Sequence, residues 1–222
     1  MMNEVKHLWW LSQIFHYAQD DGLLAVKDLM SDREPLDWSR PLNSRKSNIW
    51  TFLSTCCPLG YTPFIPGTAG AAAGVVLGFF IRFSVVSMFP DVNMFVVHLL
   101  IALLLLLFSW FSYHCIFMTE KLWGVHDDRR IVIDEVAGQA LVTAFLPPSA
   151  VYLLLSFVMF RLFDIWKPWF IGSIDRNWNT PLGTLMDDLA AGLLSLIIMV
   201  CCIYISKYFD IELHNFQDML AF

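Results

Sequence analysis

Two pairs of adjacent acids are the residues of this chain best suited to chemistry. Asp134-Glu135 and Asp187-Asp188 each stand where an apolar segment begins, and we expect each pair to lie in the first turn of a helix. A carboxylate in apolar surroundings is costly unless it pairs with a base or holds a cation. The repeated pair therefore predicts a site for a hard metal ion, which prefers oxygen ligands.

Basic residues accompany the acids farther along the chain. Arg161, Asp164 and Lys167 follow one another at a spacing of three residues, which places them along one face of a helix that Pro168 ends. A plain ladder of ion pairs would have the same spacing. Beside a metal site, however, these bases would bind an anion, and the pattern as a whole is typical of phosphate chemistry.

Two other segments allow an ordinary structural interpretation as well as a functional one. Acids at a helix start also favour the helix dipole, so Asp134 and Glu135 could be simple capping residues. Pro66 and Gly67 would close a turn, after which Thr68 would cap a helix whose free amides can receive an anion. The small residues at 70–74 more often indicate close helix packing. His126 is predicted to be a surface histidine rather than a metal ligand.

The composition indicates that these residues sit in a membrane protein. Of the chain, 57% is apolar, and the charged residues gather in blocks. We predict an all-α, polytopic membrane helix bundle with four or five transmembrane or membrane-buried helices. One stretch, Val136 to Leu146, has only 11 residues and would rise only ~16 Å, so it spans half the bilayer or is buried among its neighbours. The predicted segments are Gly70 to Phe89, Phe95 to Met118, Val136 to Leu146 (the short one), Ala150 to Trp166 and Leu189 to Ile205.

The chain divides into two predicted parts. Residues 1–50 form a polar or interfacial N-terminal extension, either an interfacial helix with tryptophans at headgroup depth or a cytosolic cap, and lack the order of a signal peptide. Residues 51–222 form the membrane-embedded catalytic domain. A net charge of -6 gives no indication of a nucleic-acid-binding surface. The five cysteines lack the spacing of a zinc or redox motif and are interpreted as apolar filler.

The distribution of bases predicts the orientation. Lys and Arg occur in the N-terminal segment and in the connections at 119–130 and 167–185, but not in the turns at 90–94 and 147–149. Because short basic loops favour the cytoplasmic side, both acidic pairs should face the cytoplasm.

Four motifs in register resemble the phosphatidylglycerophosphatase A family over about residues 58–205. They are P-x-x-P-G-T-x-G at Pro63 to Gly70; H-D and I-V-x-D-E-x-x-G at His126 to Gly138; F-R-x-x-D-x-W-K-P-W at Phe160 to Trp169; and D-R-N with G-x-x-x-D-D-x-x-A-G at Asp175 to Gly192. The chain departs from the family pattern at Thr180-Pro181, Ala71 and Phe170, which affects loop flexibility and the phosphate cradle but removes no acid or base.

The resemblance implies a Mg²⁺-dependent enzyme of phospholipid biosynthesis. It would hydrolyse phosphatidylglycerophosphate in the bilayer to phosphatidylglycerol and inorganic phosphate, at the cytoplasmic face of a bacterial inner membrane. Whether a metal-activated water or an aspartyl group attacks phosphorus stays open. The implied catalytic residues are Asp134, Glu135, Asp164, Asp187 and Asp188; the implied metal ligands are Asp134, Asp164, Asp187 and Asp188; the implied substrate-binding residues are Thr68, Arg161, Lys167, Asp175 and Arg176.

One alternative belongs to another class of protein. An ion-coupled transporter also uses intramembrane acids, here together with Arg82. The acids, however, cluster at helix ends rather than at the midplane, and no two segments resemble an inverted repeat. The sequence indicates no oligomeric state.

Overall fold

The computed structural model describes residues 49–57, 59–62, 65–168 and 170–208, without the side chains at 175, 176, 207 and 208. All but the last two residues of the predicted N-terminal extension lie outside this described part. Within it the chain is helical and contains no strand. The elements are α1 (Ile49–Ser54), a 3₁₀ turn (Leu59–Tyr61), α2 (Pro66–Met88), α3 (Met94–Trp123), α4 (Ile133–Phe145), α5 (Ala150–Trp166), α6 (Phe170–Asn177) and α7 (Pro181–Tyr208).

The predicted membrane bundle is confirmed. Helices α2, α3 and α7 are long and apolar enough to cross a membrane, the last over Pro181–Ser206. Helix α5 has 17 residues and exposes Leu154 and Val158, as expected of a helix surrounded by lipid. Large apolar side chains such as Phe80 and Leu106 likewise point outward from α2 and α3. The outer surface of the bundle is therefore the surface that contacts the bilayer.

Helix α4 is the buried centre of the bundle. Its 13 residues rise only ~20 Å, which is too short to span the bilayer. Ten of the 13 residues are buried, and the helix ends directly before Pro147 and Pro148. The prediction that this segment lies among its neighbours instead of crossing alone is confirmed.

Small residues bring three helices into close contact. A Cβ atom added to Gly74 of α2 would lie 2.7 Å from the Val136 carbonyl oxygen of α4. A Cβ atom added to Gly192 of α7 would lie 2.4 Å from the Gly138 carbonyl oxygen of the same helix. The close-packing interpretation of the small residues is thus correct, and it sets the backbones of α2 and α7 directly against α4.

Two helices begin earlier than predicted. Helix α2 starts at Pro66, with Ile65 as its N-cap, so Thr68 lies inside the first turn and does not cap the helix. Helix α7 starts at Pro181, with the Thr180 hydroxyl accepting a hydrogen bond from the Gly183 amide at 3.2 Å. The reason is that proline suits the first helical position, where its missing N–H costs nothing.

Candidate active site

The two acidic pairs meet at the contact between α4 and α7. Asp134 and Glu135 lie in the first turn of α4, as predicted, whereas Asp187 and Asp188 lie in the second turn of α7, not the first, because that helix begins at Pro181. Oxygen atoms of Asp134, Glu135 and Asp188 lie within 4.8 Å of one another. Asp134 and Asp188 are almost completely buried. Carboxylates from two distant parts of the sequence therefore form one cluster.

The carboxyls of the cluster lie where burial disfavours their charged form. Burial raises the pKa of the Asp134 carboxyl well above its usual range, and the adjacent Glu135 adds to the rise. The pKa of Glu135 is raised to about 8, first by burial and then by Asp188. Glu135 Oε2 is buried without a hydrogen-bond partner in the described part of the chain. Such a group of oxygens is suited to a bound cation.

Two bases stand beside the cluster, each in contact with one further acid. Arg161 Nη1 forms an ion pair with Asp164 Oδ2 within α5, which confirms that these side chains share a helix face. Lys167 Nζ lies 2.6 Å from Asp187 Oδ2 and so links the end of α5 to α7. The Nε atom of Arg161 is buried and has no hydrogen-bond partner among the described residues. The guanidinium consequently has a donor left for a ligand.

Lys167 reaches α7 because α5 ends at this residue. Its backbone adopts φ 44°, in the left-handed region, and its N–H bonds to the Phe163 carbonyl oxygen. Pro168 follows and cannot continue the helix. The side chain lines the same cavity as Arg161 and Asp164, and it also contacts a second helix, which the three-residue spacing alone does not predict.

A cavity of about 390 Å³ joins the acids to the bases. It contains eight of the ten residues predicted to act in the site. The side chains of the other two, Asp175 and Arg176, are outside the described part, so their role stays a prediction. The residues that line the cavity are Ile65, Pro66, Gly67, Thr68, Asp127, Asp128, Arg129, Ile131, Asp134, Glu135, Arg161, Asp164, Ile165, Lys167, Thr184, Asp187 and Asp188.

The start of α2 closes one wall of this cavity. A Cβ atom added to Gly67 would lie 2.3 Å from Glu135 Oε1 and 3.3 Å from Arg161 Nη1. Thr68 follows and lines the cavity from the same turn. Gly67 thus lets the backbone of α2 approach both an acid of the cluster and the base beside it.

The loop before α4 contributes residues that sequence analysis did not assign. Asp127, Asp128 and Arg129 line the cavity, and buried Glu120 holds this loop by accepting hydrogen bonds from the Asp127 amide at 3.1 Å and from His126 at 2.9 Å. His126 is a partly exposed surface histidine, as predicted. In the sequence, the run of four charged residues at 127–130, shortly before the acidic pair, was the feature that could have indicated a role for this loop.

The cysteines have no part in this site. All five are free thiols, and none lines the cavity. Burial raises the pKa of the Cys56 thiol to about 12, so this group is not a nucleophile at neutral pH. The prediction that the cysteines are apolar filler agrees with these positions.

Comparison with known proteins gives a consistent result. A family model described as phosphatidylglycerophosphatase A matches residues 52–203. The chain is 30% identical to phosphatidylglycerophosphatase A of Escherichia coli K12 over 152 residues, which cover 68% of this chain and 81% of that protein. It is 31% identical to phosphatidylglycerophosphatase A of Haemophilus influenzae over 140 residues, covering 63% of this chain and 79% of that protein.

A third relative has another name. A putative phosphatidylinositol-3-phosphatase of Bacteroides thetaiotaomicron is 29% identical over 158 residues, which cover 70% of this chain and 94% of that protein. No solved structure gives a significant match.

Proposed function

We infer, from the premise that the chain belongs to the phosphatidylglycerophosphatase A family, that it is a membrane phosphatase. It hydrolyses phosphatidylglycerophosphate to phosphatidylglycerol and inorganic phosphate, in phospholipid biosynthesis. The observation that carries this conclusion is the cavity in which an acidic cluster lies beside Arg161. Neither the family nor any of these relatives supports the alternative of an ion-coupled transporter.

We propose that the site works with Mg²⁺. The donor set fits this ion, because Asp134, Glu135 and Asp188 offer carboxylate oxygens within 4.8 Å of one another and Glu135 Oε2 has no other described partner. Bound there, Mg²⁺ would supply positive charge to the oxygens of the substrate phosphate. Asp164 and Asp187, also predicted as ligands, each contact a base, and we assign them the role of holding Arg161 and Lys167 in place.

The bases would bind the phosphate of the substrate. Arg161 has a fixed fork of donors, which suits two phosphate oxygens, and its Nε is buried without a partner among the described residues. Lys167 adds a second positive charge at the cavity wall. Both would stabilise the charge that develops as the bond from phosphorus to the lipid oxygen breaks. Thr68, at the start of α2, would add a hydroxyl donor.

We further propose that the enzyme resides in a bacterial cytoplasmic membrane with its cavity toward the cytoplasm. Lys121, Arg129 and Lys167 lie at the cavity end of the bundle. The connections at 89–93 and 146–149, at the opposite ends of the helices, contain no Lys or Arg. This asymmetry supports the orientation.

Phosphate release by the purified protein tests the proposal. With Mg²⁺, phosphate should be released faster from phosphatidylglycerophosphate than from phosphatidic acid, phosphatidylinositol 3-phosphate or glycerol 3-phosphate. Removing divalent ions with EDTA should abolish release, and added Mg²⁺ should restore it. Equal rates on all four compounds would refute the substrate assignment, and full activity in EDTA would refute the metal.

A further inference from the structure

The mouth of the cavity has an apolar side formed by Ile65 and Ile165. Both side chains line the cavity, yet they are 56% and 73% exposed, so they must lie at its opening. The third isoleucine of the wall, Ile131, is buried. The other strongly exposed residues of the wall, Asp127 and Arg129, belong to the polar loop before α4. The opening is therefore apolar where α2 and α5 meet and charged at that loop.

The two isoleucines flank the same part of the site. Ile65 stands directly before α2, whose Gly67 approaches Arg161 of α5 closely. Ile165 follows Arg161 by four residues in α5, which places it on the same side of that helix, one turn nearer its end. The apolar opening consequently lies beside the base that we assign to the substrate phosphate.

The apolar surface continues from the opening along the outside of α5. Leu162, Val158 and Leu154 precede Ile165 at helical spacing, and each is exposed on the lipid-facing surface. An alkyl chain leaving the cavity over Ile165 would therefore stay in contact with apolar side chains until it enters the bilayer. A water-soluble phosphomonoester has no group that could use this path.

We propose that the gap between Ile65 and Ile165 is a lateral opening through which the substrate lipid enters from the membrane, with its glycerol backbone and the first carbons of its acyl chains resting on these two side chains. The proposal rests on the proposed function, since it concerns a lipid phosphomonoester bound at the same site. The two isoleucines would then give the enzyme its preference for a membrane lipid over a soluble phosphate ester. Recognition of the phosphate itself stays with the acids and bases.

The test compares a lipid with its deacylated form. For each variant, kcat/KM is measured with dioleoyl phosphatidylglycerophosphate and with glycerophosphoglycerophosphate, which has the same phosphate and no acyl chain, and the ratio of the two values is taken. In Ile65→Asn and Ile165→Asn this ratio should fall about tenfold, because the lipid loses an apolar contact that the deacylated compound cannot make. Ile165→Leu, which keeps the side chain apolar, should retain the wild-type ratio.

Leu122→Asn is the matched control. Leu122 is an exposed apolar residue near the end of α3 that leads to the loop before α4, and it does not line the cavity. The ratio should be unchanged in this variant. An unchanged ratio in both isoleucine variants, or an equal fall in the control, would overturn the proposal.

A second measurement uses the wild-type protein and needs no folded variant. A phosphatidylglycerophosphate analogue with a diazirine on an acyl carbon near the glycerol should label the peptide containing Ile165, and unlabelled lipid should compete with the labelling. Labelling confined to α3 would overturn the proposal that the opening lies between Ile65 and Ile165. If the wild-type protein releases no phosphate from the lipid or from its deacylated form, the proposed function fails instead, so the two failures are distinct.

Discussion

Gly67 of α2 and Glu135 of α4 are in contact at the acidic cluster: a Cβ atom on Gly67 would lie 2.3 Å from Glu135 Oε1. The obstacle is the far end of a flexible side chain, which can move. At Gly78, farther along the same helix, a Cβ atom would lie 2.7 Å from the Ala140 carbonyl oxygen, which belongs to a helix backbone and cannot move. The same substitution at these two glycines should therefore have different consequences.

Gly67→Ala should impair catalysis while leaving the protein folded. The added methyl group displaces the Glu135 carboxylate, and a displacement of about 1 Å in an active site can cost on the order of a hundredfold in rate. Gly78→Ala should instead lower the free energy of unfolding by about 1–3 kcal/mol, as overpacking does. Turnover and thermal unfolding in detergent, measured on both variants, check this contrast. Gly67→Ala with wild-type turnover would contradict the contact.

Substitution of an acid in the cluster should affect turnover and Mg²⁺ binding, whereas substitution of an acid elsewhere should affect neither. Asp134→Asn and Asp188→Asn should each lower turnover by about a hundredfold or more, since each removes a charged oxygen from the proposed metal site. Both should also abolish the rise in melting temperature that Mg²⁺ produces in the wild-type protein. Asp91→Asn, in the exposed turn between α2 and α3, is the control and should change neither quantity. If a variant keeps the rise in melting temperature with Mg²⁺, the substituted residue is not a metal ligand.

Arg161→Lys distinguishes a phosphate ligand from a structural ion pair. Lysine keeps the charge next to Asp164 but loses the forked geometry, so kcat/KM should fall at least tenfold, a typical cost of losing one bidentate contact, while the Mg²⁺ concentration for half-maximal rate changes little. The same change at Arg82, which contacts the Ala144 carbonyl oxygen at 3.4 Å and lies outside the cavity, serves as the control. Near-normal kcat/KM in Arg161→Lys would leave Lys167 and Arg176 as the candidate ligands.

Cysteine labelling in intact cells tests the orientation. In a background with Cys57, Cys201 and Cys202 changed to serine, a cysteine at position 124 or 178 should react only after the cytoplasm is made accessible, because basic connections stay inside. A cysteine at position 92, in the turn between α2 and α3, should react from outside. Labelling of positions 92 and 178 from the same side would refute the proposed orientation.

The apolar runs were sufficient to predict the bundle, because length and hydropathy alone decide which helices cross a bilayer. Ala150 to Trp166 matches α5 at both ends. The starts of α2 and α7 were placed too late, since Pro66 was interpreted as a turn residue and Pro181 as part of a loop, although proline also suits a first helical turn.

Within the site, contacts inside one helix could be predicted from the sequence, whereas contacts between helices could not. Spacing of three residues predicted the pair Arg161 and Asp164. The contact of Lys167 with Asp187 depends on where α5 ends and how close α7 comes, and these follow from packing at positions such as Gly138 and Gly192. The grouping of Glu135 with Asp134 and Asp188 likewise depends on how closely α4 and α7 pack.

The burial of α4 has a consequence for biogenesis. A 13-residue helix that carries two acids is a poor candidate for independent insertion by the translocon, whereas α2, α3 and α7 are long and apolar enough to enter the bilayer by themselves. Helix α4 must then be drawn in by its glycine-lined neighbours after they are in place. Since it supplies Asp134 and Glu135, the acidic cluster is complete only once α4 has packed against α7, and a chain without that contact has no complete phosphatase site.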